Sequence, residues 1–239
     1  MEAEQTKVES TQTTGTPMRS LNLTKDIIII VLILAVSYLG YEAFKDNRER
    51  MKSFEMALTK MGTGISLDNQ RKAKISKATE MILSRNKKLP EEVAMNYAEL
   101  FVDEADKYTN VDFVLLIALA SQESAFEAKA KSEHNAKGLM QLMPMTAMDM
   151  CEYLHMTYAD SMLYDPKYNI RLGAKYVNNL MSAFNNVEHT ISGYNAGEGG
   201  ARRYIAFRKG TGAKTSVAEE NLQYVPAVLA YLAEYKKLL

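Results

Sequence analysis

Only one cysteine, Cys151, occurs in 239 residues, so the chain closes no internal disulfide and has too few thiols for a zinc or iron-sulfur site. Its expected role is that of a small apolar filler. Histidine is equally scarce. His134, His155 and His189 form neither HExxH nor any other tight ligand spacing, so no catalytic metal is expected. An excess of one charge is also missing: Lys and Arg total 29, as do Asp and Glu. That balance excludes a generally basic nucleic-acid binder and a strongly acidic solvating chain. The glycine-bearing stretch from Gly210 to Thr215 lacks the Gly-x4-Gly-Lys spacing of a phosphate-cradling loop and reads as a connection.

What is present begins with a polar segment, residues 1–25, rich in Glu, Gln, Ser and Thr and without apolar periodicity. Such a composition cannot bury a core, and a flexible tail is expected. From Ile27 to Tyr41 the run IIIIVLILAVSYLGY carries no charge. It is slightly short for a bilayer, but Tyr41 at an interface and Asp26 and Glu42 near headgroups complete a transmembrane signal-anchor helix over 26–44. A cleaved signal peptide would instead begin with a basic stretch and end at small residues. Residues 45–75 mix charge with scattered Met and Leu, and Gly62-Thr63-Gly64 predicts a break, so a stalk or linker is expected there.

Beyond it the pattern is helical. Ala78, Met81 and Ile82, then Val93, Tyr97, Leu100, Phe101 and Ala105, recur at helical spacing, with Leu89-Pro90 opening the second of these helices. No stretch alternates with a period of two, so any sheet is small. Val111 to Ser124 is apolar around nearly its whole circumference, as a helix inside a core must be. Glu123 sits at its end, where burial and the negative helix terminus both disfavour ionisation. A carboxyl so placed suits a general acid working near neutral pH.

Downstream, Ser132 to Lys137 forms a polar connection in which Asn135 tolerates a left-handed turn. Pro144 suits a first helical turn. The five methionines from Met140 to Met150 suit either adaptable core packing or a surface that accepts bulky ligands. Asp165-Pro166 marks a turn, Asn169 is expected to cap, and Ile170, Gly173, Val177, Leu180, Met181 and Phe184 form a buried stripe with Gly173 allowing close packing. A shorter helix carrying Ile191 is expected to stop at Gly197, with Tyr194 and Asn195 turned toward a cleft.

Taken together, Gln122-Glu123-Ser124, GLMQLMP from Gly138, YNAG from Tyr194 and ENLQYV from Glu220 resemble, in order and spacing, the lytic transglycosylases with a goose-lysozyme-like domain. The resemblance spans roughly 93–235. It implies a mainly α fold, a lysozyme-like (goose-type) helical catalytic domain with a glycan-binding groove and no metal or organic cofactor, placed over 76–239 and preceded by the one N-terminal transmembrane helix read from the apolar run. Its site set, carried over residue by residue, has Glu123 as the catalytic acid and base. Ser124, Ser132, Met140, Gln141, Tyr194, Asn195, Glu220 and Tyr224 would bind substrate. Two departures touch the groove edge: Asn221-Leu222 stands where the family has Thr-Arg, and Asn135 where it has glycine.

The implied substrate is the peptidoglycan glycan strand, cut between N-acetylmuramic acid and N-acetylglucosamine with 1,6-anhydro ends. The alternatives are a water-using muramidase on the same scaffold and a peptidoglycan-binding component of a secretion, conjugation or phage-entry complex. Such a substrate puts the domain on the peptidoglycan side, at a bacterial inner membrane or a virion membrane. Flanking charges favour the reverse: Lys45, Arg48, Arg50, Lys52 and Lys60 follow the apolar run, against Lys7, Arg19 and Lys25 before it. The substrate is the stronger argument, because acidic residues interleave the basic ones.

Overall fold

The structure is a computed structural model that describes residues 23–239. Most of the expected polar tail therefore lies outside the described residues. Seven α-helices and one short 3-10 helix make up the regular structure of that range, and its β-pairing is limited to isolated bridges joining Lys137 to Lys131 and to Leu142.

Two compact units divide the chain, residues 1–64 and 65–239. The described part of the first is helical, the N-terminal portion of α1 (Leu23–Arg85). Its apolar run is long and apolar enough to cross a membrane, and none of it is buried. Ile27 to Leu34 all stand exposed, where a water-soluble core helix would hide them. The break expected at Gly62-Thr63-Gly64 is absent, since these residues are helical. Glycine costs only about 1 kcal/mol relative to alanine inside a helix, so two glycines weaken a helix without ending it.

In the second unit, the end of α1 buries Ile75, Ala78, Met81 and Ile82. Arg71 and Lys74 on its flank pair with Asp103 and Asp106. α2 (Glu91–Ala105) opens behind Pro90, whose missing N–H costs nothing at a helix start. The axis of this unit is α3 (Phe113–Glu123), where Asp112 accepts a hydrogen bond from the Val114 amide and caps the helix at 2.9 Å. Every residue from Phe113 to Ser121 is buried, as its apolar circumference demands. It packs against α2, α5 (Pro166–Phe184) and α7 (Ser216–Tyr235), while α4 (Pro144–Tyr153) lies on α5.

The cap of α5 is Asp165, which accepts from the Lys167 amide. Asn169, expected to cap, is instead wholly buried inside the helix. The pattern Asp-Pro-x-x-Asn offers two capping side chains, and the one directly before Pro166 wins because proline fits the first helical position. α6 (Val187–Arg208) starts at Asn186, whose side chain accepts from the His189 amide, and is interrupted at Gly197 with φ 69° and ψ 169°. The helix carrying Ile191 therefore stops there as its sequence predicts, and a second helical segment follows. α7 is capped by Thr215, and the stretch Gly210 to Thr215 connects α6 to α7.

Candidate active site

Glu123 closes α3 and keeps part of its surface accessible, because the chain turns sharply away after it. Ala125 and Phe126 follow with φ of 48° and 65°, a left-handed excursion that non-glycine residues tolerate only where surrounding bonds hold it. Ser124 supplies two of those bonds. Its hydroxyl donates to the Leu139 carbonyl at 2.7 Å and accepts from the Phe126 amide at 3.1 Å. From the end of α1, Arg85 donates to the Ser121 carbonyl and Asn86 to the Ala125 carbonyl. Carbonyls at a helix C-terminus have no partner within the helix, so these donors fix its last turn.

Across from Glu123 lies the loop 137–143. Gly138 has φ 79°, and a Cβ there would fall onto the Leu163 carbonyl and the Asn169 amide. Asn169 holds the loop from within: its Oδ1 accepts from the Met140 amide at 2.7 Å, and its Nδ2 donates to the Lys137 and Leu163 carbonyls at 2.9 Å each. The Tyr194 hydroxyl donates to the Met140 carbonyl at 2.6 Å. Gln141, at φ 43°, donates to the Ala130 and Gly138 carbonyls.

Between loop and helices opens a cleft of ≈ 270 Å³. Among the residues expected at the site, Glu123, Ser132, Gln141, Tyr194, Asn195 and Glu220 line it. Asn195 donates to Glu220 at 3.3 Å. Tyr224 acts from behind, donating a short hydrogen bond to Glu123 Oε1. Ser124 belongs to the framework described above. Met140 is also framework: it is completely buried, and its side chain lies so close over Gly173 that a Cβ there would strike its sulfur.

Residues the sequence patterns did not single out also line the cleft, notably His134, Thr146 and Tyr176. Tyr176 sits on α5, and its ring lies 5.4 Å from that of Tyr194 while its hydroxyl donates to the Gly193 carbonyl. One signal for it was available: a tyrosine one position from the apolar stripe must send its hydroxyl somewhere polar. Glu127 and Glu133 do not line the cleft.

Burial drives the electrostatics. It pushes the Glu123 carboxyl up from 4.5 to about 7, against the Tyr224 hydrogen bond, which favours the carboxylate. Tyr224 and Tyr194 are raised well above 10, first by burial and then by the charge of Glu123. Both phenols therefore remain donors across the physiological range. The result is one carboxyl that can hold or release a proton near neutrality, with Tyr224 bonded to its Oε1. Among the described residues no three of His, Cys, Asp and Glu gather as a metal site.

These features define a mainly helical, lysozyme-like domain with a solitary buried acid at the floor of an open cleft. Residues 100–217 match the family described as Transglycosylase SLT domain. The soluble lytic murein transglycosylase of Escherichia coli is 33% identical over 159 residues, covering 62% of this chain and 24% of that protein. A membrane-bound lytic murein transglycosylase C from Edwardsiella ictaluri is 30% identical over 128 residues, 49% of this chain and 35% of the relative. Among solved structures, the 70 kDa soluble lytic transglycosylase of Escherichia coli superposes with TM-score 0.51 at 28% identity, covering 70% of this chain and 29% of that one. An inactive mutant of the lytic transglycosylase Slt from Pseudomonas aeruginosa gives 0.50 at 32%, covering 58% and 23%. The chain thus spans about a quarter of the length of the Escherichia coli relative.

Proposed function

We propose that this protein is a membrane-anchored peptidoglycan lytic transglycosylase. The observation that carries the proposal is the Glu123 carboxyl, raised to about 7 in the cleft of an SLT domain. A general acid is most effective when its pKa lies near the working pH. Protonated Glu123 donates to the oxygen bridging N-acetylmuramic acid and N-acetylglucosamine as the oxocarbenium-like state develops. The carboxylate that remains takes the proton of the muramoyl 6-hydroxyl, whose oxygen attacks the anomeric carbon of the same sugar. Bond formation at C1 closes the 1,6-anhydro ring, and Glu123 is protonated again without water entering. Most glycosidases use two carboxylates with separate duties; here a single one serves twice.

In this reading Ser132, Gln141, Tyr194, Asn195 and Glu220 contact the glycan along the cleft. Ser124 and Met140 hold its walls, and Tyr224 orients the acid. Residues 26–44 form a single-pass anchor, 45–75 a stalk and 76–239 the catalytic domain, which faces peptidoglycan outside the cytoplasm. The names of the membrane-bound relatives and the exposed apolar run of α1 support the anchor.

The test is mass spectrometry of soluble products from purified peptidoglycan incubated with the protein and with Glu123→Gln. Anhydro-muropeptides that disappear in the variant are expected. Reducing-end products would instead mean a muramidase, and cleavage undiminished by Glu123→Gln would remove the carboxylate from the mechanism.

A further inference from the structure

The first unit carries a surface that begins at the last residue of the anchor and that the cleft does not use. Beyond the apolar run, Phe44, Met51 and Leu58 recur every seven residues, and Phe54 and Met61 fall three residues after Met51 and Leu58. Asn47 occupies the corresponding place after Phe44, and in the sequence Ile65 continues the series. These are the a and d positions of a heptad, with a at 44, 51 and 58 and d at 47, 54 and 61. In a helix such positions form one narrow stripe, and Phe44, Asn47, Met51 and Phe54 do line one shallow groove. All five large apolar members are exposed, Phe44 at 68% and Met51 at 62%.

The other heptad positions fit a coil that has a partner. Of the eight residues at the outward positions between Lys45 and Lys60, only Met56 is apolar. The flanking positions hold Ala43, Arg50 and Ala57 on one side and Arg48, Glu55 and Gly62 on the other. In a parallel two-stranded coil a flanking residue meets the one five positions later on its neighbour. Arg50 would therefore face Glu55 of a second copy, and Glu55 its Arg50, two opposite-charge pairs set by one register. Within its own chain Arg50 pairs at 3.0 Å with Asp46, an exposed contact of the kind that exchanges at little cost. Ala43, Ala57 and Gly62 leave room for close helix approach.

We infer that residues 44–61 are a dimerisation seam, which binds the same segment of a second copy of this chain as a parallel, in-register coiled coil beside the membrane. Fewer than three full heptads are short for a coil free in solution. Two anchors confined to one bilayer supply a high effective concentration and enforce the parallel sense, so little further affinity is required. The parallel orientation rests on the anchored reading, whereas the heptad stripe does not.

The test uses the full chain in phospholipid vesicles, with a cysteine introduced at a seam position, Met51→Cys or Leu58→Cys, or at an outward one, Lys52→Cys or Thr59→Cys. Cys151 is buried, and the parent protein serves as its control. Mild oxidation is expected to give disulfide-linked dimers with Met51→Cys and Leu58→Cys, at least several-fold more than with Lys52→Cys or Thr59→Cys. Arg50→Glu should lower the yield at Leu58→Cys, and Glu55→Arg added to it should restore the yield. Equal yields at all four positions, or none at any, would overturn the seam. Vesicle association is scored in the same samples. A chain that stays in the supernatant yet cross-links in the heptad pattern would remove the anchor and leave the seam standing.

Discussion

Tyr224 is the side chain through which the state of Glu123 can be adjusted. Its hydroxyl bonds to the carboxylate and so opposes the upward push of burial. In Tyr224→Phe that opposition is lost and the pKa of Glu123 rises further. Because the first step of the proposed mechanism needs the protonated acid, the alkaline limb of the pH-rate profile should move to higher pH, with strand-cleavage rates against pH as the measurement. A profile that falls in amplitude without moving would show that Tyr224 contributes only packing.

Burial of Glu123 also has a consequence for stability. Its folded pKa, about 7, lies above the ordinary 4.5, so between those values the native state binds more protons than the unfolded one. Stability from this group is complete below about 4.5 and is lost as pH rises through 7. Glu123→Gln, which never ionises, should gain on the parent over that interval by at most about 3 kcal/mol. Urea melts of the two proteins at pH 5 and pH 8 check this. The same substitution, which under the proposed mechanism should abolish strand cleavage, is thus expected to stabilise the fold at the higher pH.

Among the elements, the loop 137–143 is the most exacting. Asn169 satisfies the Met140 amide and the Leu163 carbonyl, which have no other partner among the described residues, and adds a second bond to the Lys137 carbonyl, which the Leu142 amide also reaches. Asn169→Ala should cost about 3 kcal/mol or more, since a buried group left unpaired costs about 1–3 kcal/mol. It should also depress turnover, because Gln141 and the acceptor of Tyr194 belong to the same loop. Gly138→Ala should be comparably damaging: its φ of 79° disfavours any Cβ, and the space is already filled by Leu163 and Asn169. Thermal unfolding of both variants measures the effect, and melting temperatures within a degree or two of the parent would contradict it.

Helices were the readable part of the sequence at this scale. The apolar circumference of α3 and the stripe of α5 depend on neighbours a few residues away, and both lie where the sequence puts them. Asn169 was misread because the sequence shows an amide near a helix start and not the loop that approaches it 32 residues earlier in the chain. The methionines divide similarly. Met140 and Met150 enter the core, Met143 reaches the cleft, and Met145 and Met148 stand exposed. A two-way choice between packing and surface could not be made from their spacing alone.

For the whole molecule, the division at residue 64 predicts that the second unit folds without the first. Its core, gathered on α3, draws no residue from the apolar run of α1. A protein lacking residues 1–64 should melt within a few degrees of the full chain, cleave peptidoglycan, and remain in the supernatant when vesicles are sedimented. Loss of cooperative unfolding in the shortened protein would show that the units depend on one another.

The sequence by itself determined the apolar N-terminal run, the helical class and the position of Glu123 at the end of a buried helix. Periodicity, caps and apolar content act over a turn or two, and those signals are written in adjacent residues. Only the tertiary structure decided what surrounds that carboxylate. Tyr224 is 101 residues away in the chain, Tyr194 comes from a different helix, and the loop between them is held by an asparagine whose local pattern marks it only as a helix cap. The pKa of Glu123 is set by how much water these residues displace and by which oxygen Tyr224 reaches. Both depend on how distant segments pack.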